Sequence, residues 1–157
     1  MKIYVDMDQV LCDFMGGVVK AVGEPYDSTG IPKDEKKAMI NAKKDFWQTL
    51  EWLEGSKNLW KYLTSNPDHE INILSAYASW DSNSKPGKRI WIKKNLKPKP
   101  NKIFLVKREQ KQNFADKNSI LIDDYKRNIH DWESAGGQAV LHINRNVTIA
   151  KLKKLGI

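Results

Sequence analysis

Ile3-Tyr4-Val5-Asp6-Met7-Asp8-Gln9-Val10-Leu11 is the stretch on which the fold turns. Three β-prone apolar residues stop abruptly at a carboxylate, and a second carboxylate follows two positions later. The same grammar recurs down the chain. Ile71-Asn72-Ile73-Leu74 stops at Ser75, Ile103-Phe104-Leu105-Val106 at Lys107, Ile120-Leu121-Ile122 at Asp123-Asp124, and Ala139-Val140-Leu141-His142-Ile143 at Asn144. Short, nearly continuous apolar runs suit strands covered on both faces, as in a parallel sheet. Helical stretches fit between them over Lys88–Lys94, Gln110–Ala115 and Asn128–Ala135. Strands alternating with helices predict an α/β fold, a doubly covered Rossmann-like parallel sheet. In such folds ligands bind beyond the carboxyl ends of the strands. Here those ends carry Asp6, Ser75, Lys107 and the Asp123-Asp124 pair.

One segment breaks the alternation. No strand pattern is visible from Met15 to Thr64, and residues 34–63 read as helical, with Met39, Ile40, Phe46, Trp47, Leu50 and Leu53 among the apolar positions. Gly23, Pro25, Gly30 and Pro32 mark a loop before it. The segment 15–64 is therefore expected to be a small helical cap inserted after the first strand, on a core formed by residues 1–14 and 65–157.

Two aspartates at i and i+2 on a strand end point broadly the same way. Alone, Asp6 and Asp8 would be ordinary turn residues. Asp123 and Asp124 change that balance, because adjacent acids after a buried strand repel unless a cation or hydrogen bonds compensate. Either could cap the following helix, but the pair together points to a metal. Oxygen donors without a Cys or His cluster favour Mg²⁺ over Zn²⁺. His69, His130 and His142 are scattered and read as structural or surface residues. No glycine-rich phosphate loop, His-Glu-x-x-His or nucleophile elbow is present. Two Asp pairs, a hydroxyl and a lysine on one sheet edge suit phosphoryl transfer: an aspartate nucleophile divides a very slow step in two, while metal and lysine neutralise the phosphoryl oxygens.

The 157 residues are 40% hydrophobic and 29% charged. That composition suits a folded domain and excludes a disordered chain. No run approaches the roughly 20 apolar residues of a membrane span. No signal-peptide pattern is visible and Cys12 is the sole cysteine, so a cytoplasmic, reducing setting is expected. The net charge of +8 is local: between Asp81 and Glu109 lie ten basic residues and no acidic one, leaving the remainder slightly acidic. A solvated lysine face would account for it, as would a phosphate-bearing small molecule or a nucleic-acid backbone.

The segment Asp6-Met7-Asp8-Gln9-Val10-Leu11-Cys12-Asp13-Phe14 resembles the first motif of the haloacid dehalogenase (HAD) superfamily, in the form found in its 5′(3′)-deoxyribonucleotidase branch. The resemblance continues through Ile73-Leu74-Ser75-Ala76 and Ile120-Leu121-Ile122-Asp123-Asp124. It implies Asp6 as nucleophile and Asp8 as general acid/base. It implies Mg²⁺ held by Asp6, the Asp8 carbonyl and an acid of the last pair, Asp124 or equally Asp123. Ser75, the Ala76 backbone N–H and a lysine would bind phosphate. That lysine is Lys107 or Lys111, and the spacing to the Asp pair favours Lys111. Lys94 resembles a second phosphate-contacting lysine. Phe14, Phe46 and Trp47 resemble the aromatics of the nucleoside pocket, although plain core packing accounts for such residues equally well.

One departure is plain: Gln9 stands where the superfamily usually has glycine, so its loop must accommodate a Cβ. The implied activity is Mg²⁺-dependent hydrolysis of nucleoside, particularly deoxynucleoside, monophosphates through an aspartyl phosphate. The alternatives are a phosphatase of polynucleotide ends and a non-catalytic phosphate or nucleic-acid binding module on the same fold.

Overall fold

β1 (Lys2–Val5) lies at the centre of a five-stranded parallel sheet in this computed structural model, which describes all residues, 1–157. The other strands are β2 (Glu70–Ala76), β3 (Lys102–Val106), β4 (Ser119–Asp123) and β5 (Gln138–Leu141), in spatial order β3-β2-β1-β4-β5. Val5 pairs with Ile73 on one side and Ile122 on the other, so the motif ends meet at one edge. The chain leaves β1 for neighbours on opposite sides, and the crevice of such a sheet opens at that switch point.

Alternation along each strand builds two cores. Ile3, Val5, Ile71, Ile73, Ile120 and Ile122 face one side and belong to a single cluster of 25 buried residues. Tyr4, Leu74 and Leu121 face the other and meet Trp132. Five helices contribute buried side chains to the larger cluster: α1 (Phe14–Val22), α2 (Lys33–Asn41), α3 (Ser56–Thr64), α4 (Ser84–Asn95) and α6 (Arg145–Lys154). α5 (Lys126–Ser134) brings Trp132 to the opposite face.

The expected strands are all present. β2 runs on through Ser75 to Ala76, paired with Leu105 and Val106 of β3, and β5 ends early, at Leu141 instead of Ile143. There the His142 N–H donates to the Asp123 carbonyl, and Asn144 already caps α6 through the Val147 N–H. The expected helix over residues 34–63 divides into α2 (Lys33–Asn41), a 3-10 turn at Trp47–Thr49, and α3. Gly55, at φ 80°, takes the left-handed conformation that separates the last two. α3 packs against α6, and its Tyr62 hydroxyl donates to the Ile157 carbonyl at 2.7 Å. The stretch expected as a helix over Gln110–Ala115 is a 3-10 helix, Arg108–Phe114.

The segment between β1 and β2 is stitched to the rest of the chain. Leu53 N–H donates to Leu11 O (2.8 Å), Asp13 N–H to Glu51 O (2.9 Å) and the Trp91 indole to Leu50 O (2.7 Å). Ile40, Phe46, Trp47 and Leu50 share the larger hydrophobic cluster with Val10, Leu11 and Trp91. Gly87 makes the closest approach possible: a Cβ there would sit 2.7 Å from the Trp47 Cβ. No helix is long and apolar enough to cross a membrane.

Candidate active site

The loop leaving β1 turns tightly, with the N–H groups of Val10, Leu11 and Cys12 all directed to the Met7 carbonyl. Gln9 holds φ 60°, the left-handed region that the sequence comparison with glycine anticipates. A non-glycine residue there costs about 1–2 kcal/mol. An offsetting contact is visible: Gln9 Oε1 accepts the Met15 N–H at 2.9 Å, beside the Asp13 carboxylate that accepts Gly16 N–H. Gln9 and Asp13 thus cap the first turn of α1, satisfying donors that a helix start leaves open.

This loop and the end of β4 bring Asp6, Asp123 and Asp124 together, each with a carboxylate oxygen within 4.8 Å of the others. Lys111, 2% exposed, lies between two of them, 3.1 Å from Asp6 and 2.8 Å from Asp123. Burial alone would depress its ammonium, but Asp6 and Asp123 carry it above its ordinary value. Asp123 is fully engaged. Its Oδ2 also accepts from Asn128 at 3.0 Å, and its Oδ1 accepts the Tyr125 N–H at 2.9 Å. Burial, then the neighbouring Asp6, raises its carboxyl nonetheless. Asp124 pairs with no cation, and burial together with Asp6 and Asp123 pushes it up to about 7. Three crowded carboxylates against one lysine are short of positive charge. The donor set is oxygen only, so the residues fit a hard divalent cation.

Asp8 is not part of that trio. Its Oδ2 accepts from Lys88 Nζ at 2.9 Å, while its Oδ1 is buried without a partner. Burial raises the Asp8 carboxyl and Lys88 opposes the rise. Lys88 also donates to Ser75 Oγ at 3.1 Å and lies 5.3 Å from the centre of the Trp47 ring.

Above these groups is a cavity of about 510 Å³, lined among others by Asp6, Asp8, Phe14, Trp47, Ala76 and Lys111. That volume is within the range of small-molecule sites. Phe14 and Trp47 stack on each other, with centroids 5.7 Å apart and planes 15° apart, so no third ring fits between them and they form one wall. Tyr26 meets Phe14 edge-on at 5.5 Å. The Trp47 indole N–H donates to Asp81 Oδ2 at 2.8 Å, and Asp81 is itself fixed by the Asn83 N–H.

The sequence-derived candidates therefore separate. Asp6, Asp8, Asp123, Asp124, Phe14, Trp47, Ala76 and Lys111 gather at or around the cavity. Ser75 is fully buried beneath it, reached through Lys88. Phe46 is a packing residue behind the wall, edge-on to both Phe14 and Trp47. Lys94 is not brought to the cavity: it is exposed in the last turn of α4, and Lys88, six residues earlier, meets Asp8 and Ser75. Six residues turn a helix through about 600°, which leaves the two lysines on different faces. Lys107, the alternative to Lys111, is exposed. Tyr26, Tyr77, Trp80, Arg108 and Tyr125 also line the cavity and were not singled out. Four of them follow strand ends within a few residues, a position that could have marked them.

The sheet order and site position can now be set beside known structures. No family model matches the chain, and no curated protein matches it. Sixty solved chains do. A hydrolase from Streptococcus pneumoniae aligns with a TM-score of 0.60 at 14% identity, covering 99% of this chain and 98% of that one. The fold is HAD-like. A magnesium-bound HAD hydrolase from Bacillus subtilis aligns at a TM-score of 0.58 and 12% identity over 89% of this chain and 85% of its own. A HAD-family enzyme from Bacteroides thetaiotaomicron, solved with magnesium and inorganic phosphate, aligns at 0.51 and 16% over 89% and 92%. The HAD-like sheet is common to all three, while such low identities leave activity to the residues of each site.

Proposed function

We propose that the protein is a Mg²⁺-dependent phosphohydrolase that removes phosphate from nucleoside monophosphates, with deoxynucleotides the preferred class. The observation that carries this reading is the union of the Asp6–Asp123–Asp124 oxygen cluster with an aromatic-walled cavity that also receives Asp8 and Lys111. The magnesium-bound neighbours on the same fold support the choice of metal.

Asp6, the carbonyl of Asp8 and Asp124 would hold the cation. Asp124 is the better side-chain ligand of the final pair, because both oxygens of Asp123 already accept hydrogen bonds. A bound Mg²⁺ would supply charge neutralisation at the phosphoryl oxygens. Lys111 adds a fixed positive charge beside the nucleophile and keeps Asp6 aimed into the cavity. Asp6 attacks phosphorus, the ester bond to the nucleoside oxygen breaks, and Asp8 delivers a proton to that oxygen. Asp8 then takes a proton from water, which attacks the aspartyl phosphate and frees Asp6. Lys88 takes the place assigned to Lys94 from sequence: it fixes Asp8 and Ser75 and puts a buried positive charge behind Asp8. The Phe14–Trp47 wall offers one aromatic face to a base.

The test is phosphate release from ribo- and deoxynucleoside 5′- and 3′-monophosphates, with Mg²⁺ or EDTA, beside Asp6→Asn. Mg²⁺-dependent release abolished by the substitution supports the reading, and the ranking within the panel names the substrate. Turnover that survives Asp6→Asn overturns the mechanism.

A further inference from the structure

The basic stretch between Asp81 and Glu109 is only partly absorbed by the site. Lys88 is buried against Asp8, while Lys102 and Arg108 pair with Glu70 and Asp131. Lys85, Arg89, Lys93 and Lys97 are exposed and pair with no carboxylate. They recur every fourth residue, so three lie on one ridge of α4 and the fourth just past its end. The three on the helix are about 6 Å apart along the axis and span about 12 Å.

Like charges at this spacing destabilise a helix. Lys85 in the first turn also opposes the helix dipole. No carboxylate on the ridge offsets the repulsion, while Lys93 in the last turn suits the dipole. Beside it lies a groove of about 400 Å³, in which Arg89, Lys93, Lys97 and Lys99 surround a floor of Ile92, Leu96, Pro100 and Ile103. The other end of the row reaches the cavity. Lys85 Nζ is 4.2 Å from the centre of the Tyr77 ring, and Tyr77 lines the cavity. A regular line of unpaired cations, with apolar surface alongside and an aromatic end, complements a polyanion of regular charge spacing that also carries flat apolar groups. In single-stranded nucleic acid every charge is accompanied by a ring, whereas an acidic peptide has rings only where its sequence supplies them, and a lipid surface has no chain to lie in a groove.

We propose that this ridge of α4 binds the phosphodiester backbone of single-stranded nucleic acid, laid along Lys85, Arg89, Lys93 and Lys97. The surface stands apart from the phosphohydrolase reading and survives its failure.

The probe is a 12-nucleotide single-stranded DNA with a 5′-hydroxyl and a 3′ fluorophore, so no terminal phosphate competes for the cavity. Anisotropy is measured from 50 to 300 mM salt. Arg89→Glu, Lys93→Glu and Lys97→Glu are combined in one variant. A control combines Lys151→Glu, Lys153→Glu and Lys154→Glu, the same charge change on α6. Circular dichroism establishes that both variants are folded. The expected result is binding that weakens about tenfold or more in the α4 variant at 0.1 M salt and within about threefold in the control. The log–log salt slope should also fall by about 2 in the α4 variant, as three phosphate contacts are lost. Absence of binding by the wild type, equal weakening by both variants, or displacement by polyglutamate as effective as by unlabelled DNA would each overturn the proposal.

Discussion

Lys111 and Trp47 are 2% and 3% exposed, and each gives a polar hydrogen to an aspartate, yet they belong to different kinds of structure. Lys111 on the cavity floor is surrounded by charge. Its partners Asp6 and Asp123 are held by the ends of a parallel sheet whose geometry leaves them nowhere else to go. Trp47 in the wall is surrounded by rings: Phe14 stacked, Phe46 edge-on, Trp80 tilted at 6.1 Å. Its bond to Asp81 aims an otherwise apolar side chain. The floor is therefore sensitive to removal of any one charge, and the wall to changes in shape. In the proposed reaction the floor governs chemistry and the wall governs recognition.

The sharpest way to break that division is Asp6→Asn, which should lower phosphate release about 10⁴-fold with the fold intact. A comparable loss confined to KM would transfer Asp6 to recognition. Metal removal ranks next. EDTA should reduce turnover to background, and saturating Mg²⁺ should raise the melting temperature of the apo-protein by about 5 °C or more. That shift should shrink in Asp124→Asn, a readout independent of activity.

Lys111→Met tests the floor as an electrostatic unit. It strands Asp6 and Asp123 in a buried setting, so the metal-free protein should lose about 3–5 kcal/mol in urea unfolding. A loss under 1 kcal/mol would mean the carboxylates relax without their lysine. Trp47→Phe keeps the ring and removes the indole N–H. Stability should fall by about 1–3 kcal/mol as Asp81 Oδ2 loses its partner. KM for a mononucleotide should rise several-fold with kcat nearly unchanged, and a fall in kcat alone would place the wall in the chemistry. The smallest effect is expected at Gln9. Gln9→Gly relieves the left-handed strain and forfeits the bond to Met15, so the net change in unfolding free energy should stay within about 0.5 kcal/mol.

The floor was far more legible in the sequence than the wall, for physical reasons. A strand buried on both faces must be apolar nearly throughout, so a polar residue at or near its end is conspicuous, as at Asp6, Ser75 and Asp123. Parallel register then brings such ends together without further information. Helices hide more. α6 has no legible pattern, because Arg145–Lys154 buries only Thr148 and Leu152. α1 was obscured by Gly16-Gly17, which lower helix propensity while α1 is capped from outside by Gln9. Lys88 and Lys94 are chemically alike, and only the helical phase fixed by Trp91 and Ile92 decides which of them faces Asp8. Tyr26 reaches the cavity through a loop held by the buried Lys36, whose ammonium donates to the carbonyls of Pro25, Tyr26 and Ser28, a set of contacts that no local pattern announces.

The shared hydrophobic cluster has a kinetic consequence. Trp47 and Leu50 are packed into the same core as Val10 and Trp91, and Gly87 leaves no gap between α4 and the 3-10 turn. A wall fused to its floor in this way has no door to swing. In the proposed reaction, ligand would enter and product leave through the solvent-facing mouth, and turnover would not wait on a hinge.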